Sequence, residues 1–505
     1  MVEHDDDIGF SRSNEVSMSL EDEEAGAEAQ EIQVKRRRIT GQLGCEQREM
    51  KLQISCLPID VLYCVLDKLL ELVDYVRFAA VCKELQQVAK LYNFTKQRWV
   101  SKPKLLPMLM LPPNESDNDT KQRLLYSVSE RKIYNNINIR LSMPYNENLC
   151  GSSQGWLASA LQSTGEWPEN RIFKLVHEIT LRNPFGKASE VIHLPPYMHC
   201  IPEIFEHVKE WIPRVILSAN PALHPENYYV LFALYRPLPH RIPMPNGVVR
   251  RHMNVHNPTL GLLPHRLPNG VVRRNINVYN PTLALFKGGQ ESWITIDRLD
   301  QLFPKFDDAI FYRNKICLLL ESRNKLVGSG MVTLDVDSIN LTQPKIQYSG
   351  FKPEPARNMF HAHCWEQYLV ESTNGDLLLV QRFYEFEETS FGVCKIVFNE
   401  EDKSPFQLVE VKCIGDDAIF LGQSQSQSVL ATSIPGCKPN CIYYATESVR
   451  RDEYPKDFSD ILKSEMGIFN LGDRTRTTLI ASDSISHWNW NVMNMPFWVL
   501  PSLNI

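Results

Sequence analysis

Closely spaced cysteine pairs are scarce in this sequence. Its twelve cysteines are scattered over 505 residues, none form a CxxC pair, and the closest two are Cys437 and Cys441. Disulfide frameworks are typical of small secreted domains, whereas intracellular thiols are kept reduced. The cysteine usage therefore indicates a protein of a reducing compartment.

Long apolar segments are also missing. The N-terminal residues MVEHDDDIGF contain no apolar core of the kind that a signal peptide needs. No apolar run in the sequence is long enough to cross a bilayer. We therefore expect no secretion and no membrane partner, and a location in the nucleus, the cytoplasm or both.

The common sequence signatures of catalytic sites give no support for an enzyme. There is no P-loop, no HExxH, and no GxGxxG after a predicted strand. Two acid pairs lie in similar stretches, FDDAIF and GDDAIF, which favours turn or capping roles over acid–base catalysis. Ser152 and Ser153 have no histidine partner that the sequence identifies. We predict that the chain is not an enzyme.

Histidine and cysteine come together in the stretch HAHCW, at His361, His363 and Cys364. Zinc usually takes four ligands, in two pairs that are separated in sequence. Cys437 and Cys441 would supply the second pair only by a coincidence of the fold, and burial between strands is the ordinary alternative. We expect no metal and no cofactor.

Charge is distributed unevenly, although the net charge is only −6. Residues 1–34 contain eleven acids and a single arginine. We predict that residues 1–48 form a disordered acidic tail, because they have too few apolar side chains to offset the entropy of the chain. Residues 39–505 are close to neutral, which argues against a nucleic acid partner, since phosphate contacts need a basic patch.

A basic cluster interrupts this tail at Lys35, Arg36, Arg37 and Arg38. Nuclear import receptors bind such clusters, and the flexible surroundings favour that interpretation. The alternative is a solvated run of charge without a receptor.

Residues 52–99 show the periodicity of helices. Pro58 suits the first position of a helix, where its missing N–H costs nothing. Apolar residues at spacings of three and four then form one stripe: Leu57, Val61, Leu62, Val65, Leu66 and Leu69. A second helix repeats the spacing at Phe78, Val81, Cys82 and Leu85. So short a segment is too small for a comfortable independent domain, so a partner or a neighbouring domain should complete it.

Residues 120–505 have the texture of many short strands. Aromatic and β-branched runs such as YYVLFALY and NCIYYATE alternate with Gly, Pro, Asn and Asp, and ESTNGDLLLV carries a hairpin signal. Antiparallel strands over so long a span favour a propeller over a single sandwich. We predict an α+β multidomain protein: a disordered tail, short helices, and an all-β propeller of about seven blades.

One internal repeat interrupts the strands, in an insertion at 240–285. PNGVVRRHMNVHNPTLGL is followed by PNGVVRRNINVYNPTLAL, between two stretches that read as neighbouring strands of one blade. Two copies are too few for a solenoid. We favour a tandem duplication that extends a surface loop. The alternative is a functional arginine-rich loop.

The helical segment resembles an F-box. The resemblance is carried by LPIDVLYCVLDKL, the spacer LELVDYVRF and AAVCKEL. The family pattern has Leu-Pro at its start, an Asp before an Arg-Phe pair, and Val-Cys-Lys-x-Trp at its end. Leu85 stands where that Trp is usual, which should weaken packing against whatever follows.

The strand-rich part resembles the β-propeller domain of plant KIB-type F-box proteins. Stretches that carry this resemblance, in the family's order, are CGSSQGWLASA, RNPFGKASEVIHLPP, FDDAIFYRNKICLLLESRNKLV, YLVESTNGDLLLVQR, DDAIFLGQSQSQSVLATSIPGCKPNCIYYATE and PFWVLPSL. The doubled PNGVVRR insertion departs from the family pattern.

The two resemblances together imply a subunit of a ubiquitin ligase. The F-box would dock on a SKP-type adaptor, and through it on a cullin, while the propeller would recruit an unidentified protein substrate. An amphipathic helix set into a groove uses apolar anchors at helical spacing. The adaptor-binding residues that we predict are Leu57, Pro58, Val61, Leu62, Val65, Leu66, Leu69, Val81 and Cys82, although some of these could instead form the small core of the helices. The alternative function is a non-degradative binding propeller whose F-box region only tethers or is inactive.

Overall fold

The computed structural model describes two compact units, one helical and one built of strands. The described residues are 57–69, 72–96, 106–112, 123–134, 148–167, 172–184, 191–202, 212–235, 282–296, 305–321, 329–336, 346–350, 363–385, 388–398, 406–449, 462–480 and 496–500. The predicted acidic tail, its basic cluster and the PNGVVRR repeat up to residue 281 lie outside these residues.

Three helices form the helical unit. They are α1 Ile59–Leu66, α2 Leu72–Ala80 and α3 Lys83–Lys96. Pro58 precedes the first helix by one residue, and its carbonyl oxygen accepts the N–H groups of Val61 and Leu62. Its fixed φ and missing N–H are harmless at this boundary, where the first amides of a helix have no intrahelical acceptor.

A small core holds these helices together. Its fully buried side chains are Leu62, Leu66, Tyr75, Leu85, Ala89 and Tyr92. The hydroxyl of Tyr75 donates to the carbonyl oxygen of Ala89 at 2.6 Å, and the ring of Tyr63 meets that of Tyr92 edge to face. Burial raises the pKa of Tyr75, so its hydroxyl remains a donor across the physiological range.

The described strands form six sheets, the blades of a propeller. Blade 1 contains β1 Met108–Leu111, β2 Leu124–Ser127, β3 Lys132–Tyr134 and the last strand, β26 Phe497–Val499. Blade 2 contains β4 Asn148–Ser153, β5 Trp156–Trp167, β6 Ile172–Arg182, β7 Val191–His193 and β8 Tyr197–Pro202. Blade 3 contains β9 Ile212–Leu217, β10 Tyr229–Tyr235, β11 Thr282–Lys287 and β12 Ile294–Thr295.

The second half of the ring follows the same plan. Blade 4 contains β13 Lys305–Tyr312, β14 Lys315–Glu321, β15 Ser329–Asp335 and β16 Ile346–Gly350. Blade 5 contains β17 His363–Glu371, β18 Leu377–Glu385, β19 Glu388–Phe398 and β20 Phe406–Val411. Blade 6 contains β21 Asp417–Gly422, β22 Gln427–Leu430, β23 Cys441–Val449, β24 Leu462–Asn470 and β25 Arg476–Thr478.

The prediction of about seven blades was wrong, because the number is six. The prediction assumed a typical number of residues per blade, and the blades of this protein contain more residues than that. Blade 6 alone extends from Asp417 to Thr478 and includes a fifth strand, with β21 and β23 running parallel.

The hydrophobic patterning of the strands follows from burial on both faces. The middle strands β10 and β14 read YVLFALY and KICLLLE, and nearly all of their described side chains are buried. A strand covered on both faces needs a continuous apolar run rather than alternation. The outer strand β20, FQLVEV, mixes exposed and buried residues instead.

Two predictions about local pairing were confirmed. The strands on either side of the PNGVVRR repeat, β10 and β11, are antiparallel neighbours in blade 3. The segment ESTNGDLLLV forms the hairpin between β17 and β18, where Gly375 has a φ of +80° and its N–H donates to the carbonyl oxygen of Ser372. Glycine adopts this left-handed conformation without a steric cost.

The ring is closed by pairing of the last strand with the first. Residues of β26 pair with β1, as in Met108 with Val499 and Leu109 with Trp498. The innermost strands then contact one another around the whole ring, in the order β26, β4, β9, β13, β17 and β22, with β21 returning to β26.

Gly151 permits the closest approach between two inner strands. A Cβ at this position would lie 2.1 Å from the carbonyl oxygen of Val215 in blade 3, which no real contact allows. Gly151→Ala should therefore force β4 and β9 apart, and overpacking of this kind costs about 1–3 kcal/mol. The expected result is a clearly lower midpoint of thermal unfolding for the full chain, followed by circular dichroism.

Gly392→Ala is the matched control, because Gly392 also lies in a strand and its Cβ would meet only a side-chain carbon of Phe383 at 3.2 Å. Equal midpoints for the two variants would contradict the predicted tight contact between β4 and β9.

Candidate functional site

The described part of the helical unit exposes an apolar surface on its first helix and just before it. Leu57, Ile59, Val61 and Val65 are each about two-fifths exposed, at 41%, 42%, 43% and 40%. We call these four residues the α1 surface. The exposed polar side chains Asp60 and Lys68 lie in the same segment. An apolar surface with polar neighbours is typical of an interaction site.

The nine predicted adaptor-binding residues fall into two sets. Those that are exposed and available to a partner are Leu57, Pro58, Val61, Val65 and Val81. Those that are buried or half-buried are Leu62, Leu66, Leu69 and Cys82. The buried pair, Leu62 and Leu66, belongs to the core of the helical unit.

Helix geometry explains why the sequence pattern placed exposed and buried residues in one stripe. Residues 61 and 65 lie one turn apart on one side of α1, and residues 62 and 66 lie on a side rotated by about 100°. A stripe read at spacings of three and four includes both sides. Exposed apolar residues that the pattern missed are Ile59 and Leu91, and a 3.6-residue period gives no signal that separates an exposed apolar position from a buried one.

A second polar cluster lies where inner strands of the propeller meet. Arg214 on β9 is buried, and its Nη2 lies 2.6 Å from Oδ1 of Asp308 on β13, which is also buried. The same guanidinium donates to the carbonyl oxygens of Asp307, at 3.2 Å, and of Ser424 in blade 6, at 3.5 Å. One side chain of blade 3 thus contacts blade 4 and the blade on the opposite side of the ring.

Asp308 is held by three donors from other residues. Its two oxygens accept the N–H groups of Ala309 and Leu369, each at 2.8 Å, in addition to Arg214. Burial raises the pKa of this carboxyl, while Arg214 and the two N–H groups oppose that rise. A carboxylate whose oxygens are taken up in this way joins blades 3, 4 and 5 and is not placed to exchange protons with a substrate.

The second acid pair, in GDDAIF, has the same structural role as the first. Asp417 is buried at the start of β21, and it accepts the N–H of Thr373 in blade 5 and the hydroxyl of Ser428 in blade 6, both at 2.9 Å. The repeated motif therefore places a buried acceptor within β13 and at the start of β21, and each acceptor binds a backbone amide of blade 5. These contacts link blades, whereas the sequence predicted turn or capping roles.

The serine pair in CGSSQGW lies in a hairpin. Gly151 to Gly155 have the GxSxG spacing of a nucleophile elbow, in which the serine sits between a strand and a helix. Ser153 instead ends β4 before the turn into β5, and its buried Oγ accepts the N–H of Leu217 at 2.8 Å. This serine joins blades 2 and 3.

The residues considered for zinc lie on different elements. His363 and Cys364 belong to β17 of blade 5, while Cys437 and Cys441 are buried in the apolar core that blades 1 and 6 share. His361 is outside the described residues. Within the described ranges, no group of three or more His, Cys, Asp or Glu side chains could hold a metal ion.

Burial raises the pKa of Cys441. This thiol therefore remains protonated and packs as a small apolar side chain. Among the helices that the structure describes, none is long and apolar enough to cross a membrane.

Arg214→Met tests the role of the buried ion pair. It leaves the Asp308 carboxylate buried without its cationic partner, which typically costs about 3–5 kcal/mol. We expect a large fall in the midpoint of thermal unfolding. Lys395→Met is the matched control, since the Lys395–Asp376 pair is exposed and such pairs contribute about 0–1 kcal/mol. A fall no larger than that of the control would show that Arg214 does not hold the blades together.

Comparisons with known proteins agree with this architecture at the level of the family. The family model described as "KIB1-4 beta-propeller" matches residues 125–470, which is more than half of the chain. No curated protein matches the sequence.

Similarity to solved structures is distant. An α-L-arabinanase of Penicillium chrysogenum, complexed with arabinobiose, is 11% identical with a TM-score of 0.27, and the match covers 72% of this chain and 80% of that one. A GH93 α-L-arabinofuranosidase of Fusarium graminearum is 10% identical with a TM-score of 0.28, over 66% of this chain and 82% of that one. At such scores these similarities carry no conclusion about activity.

Proposed function

This chain belongs to the KIB1-4 beta-propeller family, and from that premise we propose that it is the substrate-recognition subunit of an SCF-type ubiquitin ligase. In this proposal the helical unit is an F-box that docks on a SKP-type adaptor, and the adaptor joins it to a cullin. The propeller recruits a protein substrate. The observation that carries the proposal is the exposed apolar α1 surface of a helical unit that has a core of its own.

The distribution of exposed apolar side chains supports a docking role for the helical unit. Of the twelve large apolar side chains that are exposed in the described residues, six belong to this small unit: Leu57, Ile59, Val61, Val65, Val81 and Leu91. A unit of so few residues would gain stability if a partner covered this area, because each buried Val or Leu side chain contributes about 1.5–3 kcal/mol.

Docking of this kind uses an amphipathic helix in an apolar groove. The exposed side chains of α1 at residues 61 and 65 are four apart, as anchors on one side of a helix are, and the exposed Leu57 lies just before the helix. Leu62 and Leu66 support the same helix from beneath. In our proposal they contribute to adaptor binding only by fixing the position of α1.

The mechanism that we propose is proximity. A substrate held by the propeller meets the ubiquitin-conjugating machinery at a high effective concentration, which makes the transfer in effect unimolecular. Two modest contacts, one through the helical unit and one through the propeller, bind more tightly because both belong to one chain. No bond would be made or broken by this chain, so it would act as a receptor without catalytic residues.

The second candidate is a binding propeller without a role in degradation. The departure of Leu85 from the usual Trp of the F-box pattern favours it. Under this alternative the helices only tether the chain or are inactive. For either function we propose a location in the nucleus or the cytoplasm, with the basic cluster at Lys35 to Arg38 as the import signal.

Adaptor binding is the direct test. The full chain is co-expressed with a SKP-type adaptor and purified, alongside the double variant Leu57→Ala/Pro58→Ala. We expect the wild type to retain the adaptor and the variant to lose it, because removing central anchors costs about 2 kcal/mol or more. Leu430→Ala is the matched control, as Leu430 is equally exposed but lies on the propeller. Absence of the adaptor from the wild-type preparation would refute the receptor function.

The division between exposed and buried anchors gives a separate prediction. Val61→Ala with Val65→Ala should weaken adaptor binding and leave the thermal unfolding of the chain unchanged. Leu66→Ala should instead destabilise the helical unit by about 2–5 kcal/mol, as truncation of a buried Leu does. Calorimetry measures both quantities. The opposite pattern, with stability lost in the Val61/Val65 variant, would place the α1 surface in the core.

A further inference from the structure

The loop between β21 and β22 reaches across the centre of the ring. It consists of residues 423–426, which follow Gly422 at the end of β21 and precede Gln427 at the start of β22. Blade 6 has blades 1 and 5 as its neighbours in the ring, yet this loop makes hydrogen bonds with residues of blades 2 and 3. We call residues 423–426 the strap.

Two hydrogen bonds join the strap to the far side of the ring. The N–H of Gln425 donates to the carbonyl oxygen of Ser152, on β4 of blade 2, at 3.1 Å. Nη2 of Arg214, on β9 of blade 3, donates to the carbonyl oxygen of Ser424 at 3.5 Å. Arg214 is itself held at 2.6 Å by the buried Asp308 of blade 4, so the donor that the strap meets in blade 3 is fixed in position.

The strap is enclosed by the inner strands and anchored at both ends. Ser424 and Ser426 are buried, at 1% and 4% exposure. At one end, Gly422 lies against the ring of Trp498, since a Cβ there would be 3.3 Å from a carbon of that ring. At the other end the chain continues into β22, which contacts β17 of blade 5. The strap is therefore part of the interior of the propeller.

The strap bypasses the seam at which the ring closes, which we define as the pairing of β26 with β1. This pairing consists of three residue pairs. The indole N–H of Trp498 donates to the carbonyl oxygen of Leu421 and holds β26 to blade 6. Apolar packing between blades 1 and 6, and a hydrogen bond from the hydroxyl of Tyr126 to the carbonyl oxygen of Leu479, strengthen the seam. These contacts all involve blade 1, whereas those of the strap with blades 2 and 3 do not.

We propose that the strap is a second closure of the ring, which keeps blade 6 joined to blades 2 and 3 when β26 separates from β1. In an arrangement where each blade contacts only its neighbours, the opening of one interface would release the two ends of the ring from each other. Local opening needs less free energy than global unfolding. With the strap in place, such an opening is confined to blade 1 and its contacts, and blades 2 to 6 keep their arrangement.

Blade 1 is the blade at which a confined opening is expected. Its described strands have three or four residues, so few backbone hydrogen bonds hold each of them. Blade 2, to which the strap is bound, contains strands of 12 and 11 residues in β5 and β6. The second closure therefore connects blade 6 to the first blade in the chain that has long strands.

Native-state hydrogen exchange of the full chain tests this inference without any substitution. Mass spectrometry with fragmentation resolves the exchange rates of single backbone amides. We expect the amides of β26 and β1 to exchange at least about tenfold faster than the amide of Gln425, because the seam opens while the strap stays bound. Equal rates, or faster exchange at Gln425, would overturn the proposal, because the strap would then open together with the seam or before it.

A double-mutant cycle tests whether the two closures replace each other. Gln425→Pro removes the N–H that binds Ser152, and Val499→Ala weakens the seam by truncating a buried side chain of β26. We expect the fall in the midpoint of thermal unfolding of the combined variant to exceed the sum of the two single falls, since each closure holds the ring when the other is lost. Additive falls would show that the closures act independently and would overturn the proposal.

Two matched controls separate a second closure from general destabilisation. Gln425→Ala loses the same side chain but keeps the N–H, so its effect should be additive with that of Val499→Ala. Val332→Ala truncates a fully buried valine in blade 4, and its effect should be additive with that of Gln425→Pro. An excess fall of the same size in either control would overturn the proposal. If Gln425→Pro does not fold, the exchange rates of the wild type decide between the two outcomes.

Discussion

Closure of the ring is the constraint on which the rest of the propeller depends. The pairing of β26 with β1 brings residues from the two ends of the strand-rich unit into one sheet. Trp498 reinforces this sheet, because its buried Nε1 donates to the carbonyl oxygen of Leu421 in blade 6 at 2.8 Å. Without closure two blades would expose apolar faces, and two rows of unpaired strand edge would be open to other chains.

Buried polar groups add hydrogen bonds and ion pairs to the apolar packing between blades. A propeller blade has little contact with any but its two neighbours, so each interface needs its own directional contacts. Ser153 provides one between blades 2 and 3, and Asp308 another between blades 4 and 5. Arg382 provides a third, because its guanidinium in blade 5 pairs with Glu465 of blade 6 at 2.8 Å. Ser153, Asp308 and Arg382 are of the residue types that are often catalytic, and in this protein each of them links two blades.

In our proposal the helical unit acts through exposed apolar surface. The α1 surface consists of a few large apolar side chains with polar neighbours. It lies outside the core of the helical unit, which is taken up by Leu62, Leu66 and the residues around Tyr75.

The sequence alone determined the kinds of elements and their order. Helical spacing from Leu57 onward and apolar runs such as KICLLLE identify local structure, because periodicity records which side chains leave water. The hairpin at Gly375 follows equally from local chemistry. The blade count, by contrast, depended on how much chain each blade uses, and no local pattern measures that. Tertiary structure also decided that Val61 faces solvent while Leu62 is buried, that Asp308 meets Arg214, and that Gln425 meets Ser152. Each of these depends on contacts between residues far apart in the chain, for which hydrophobic periodicity carries no information.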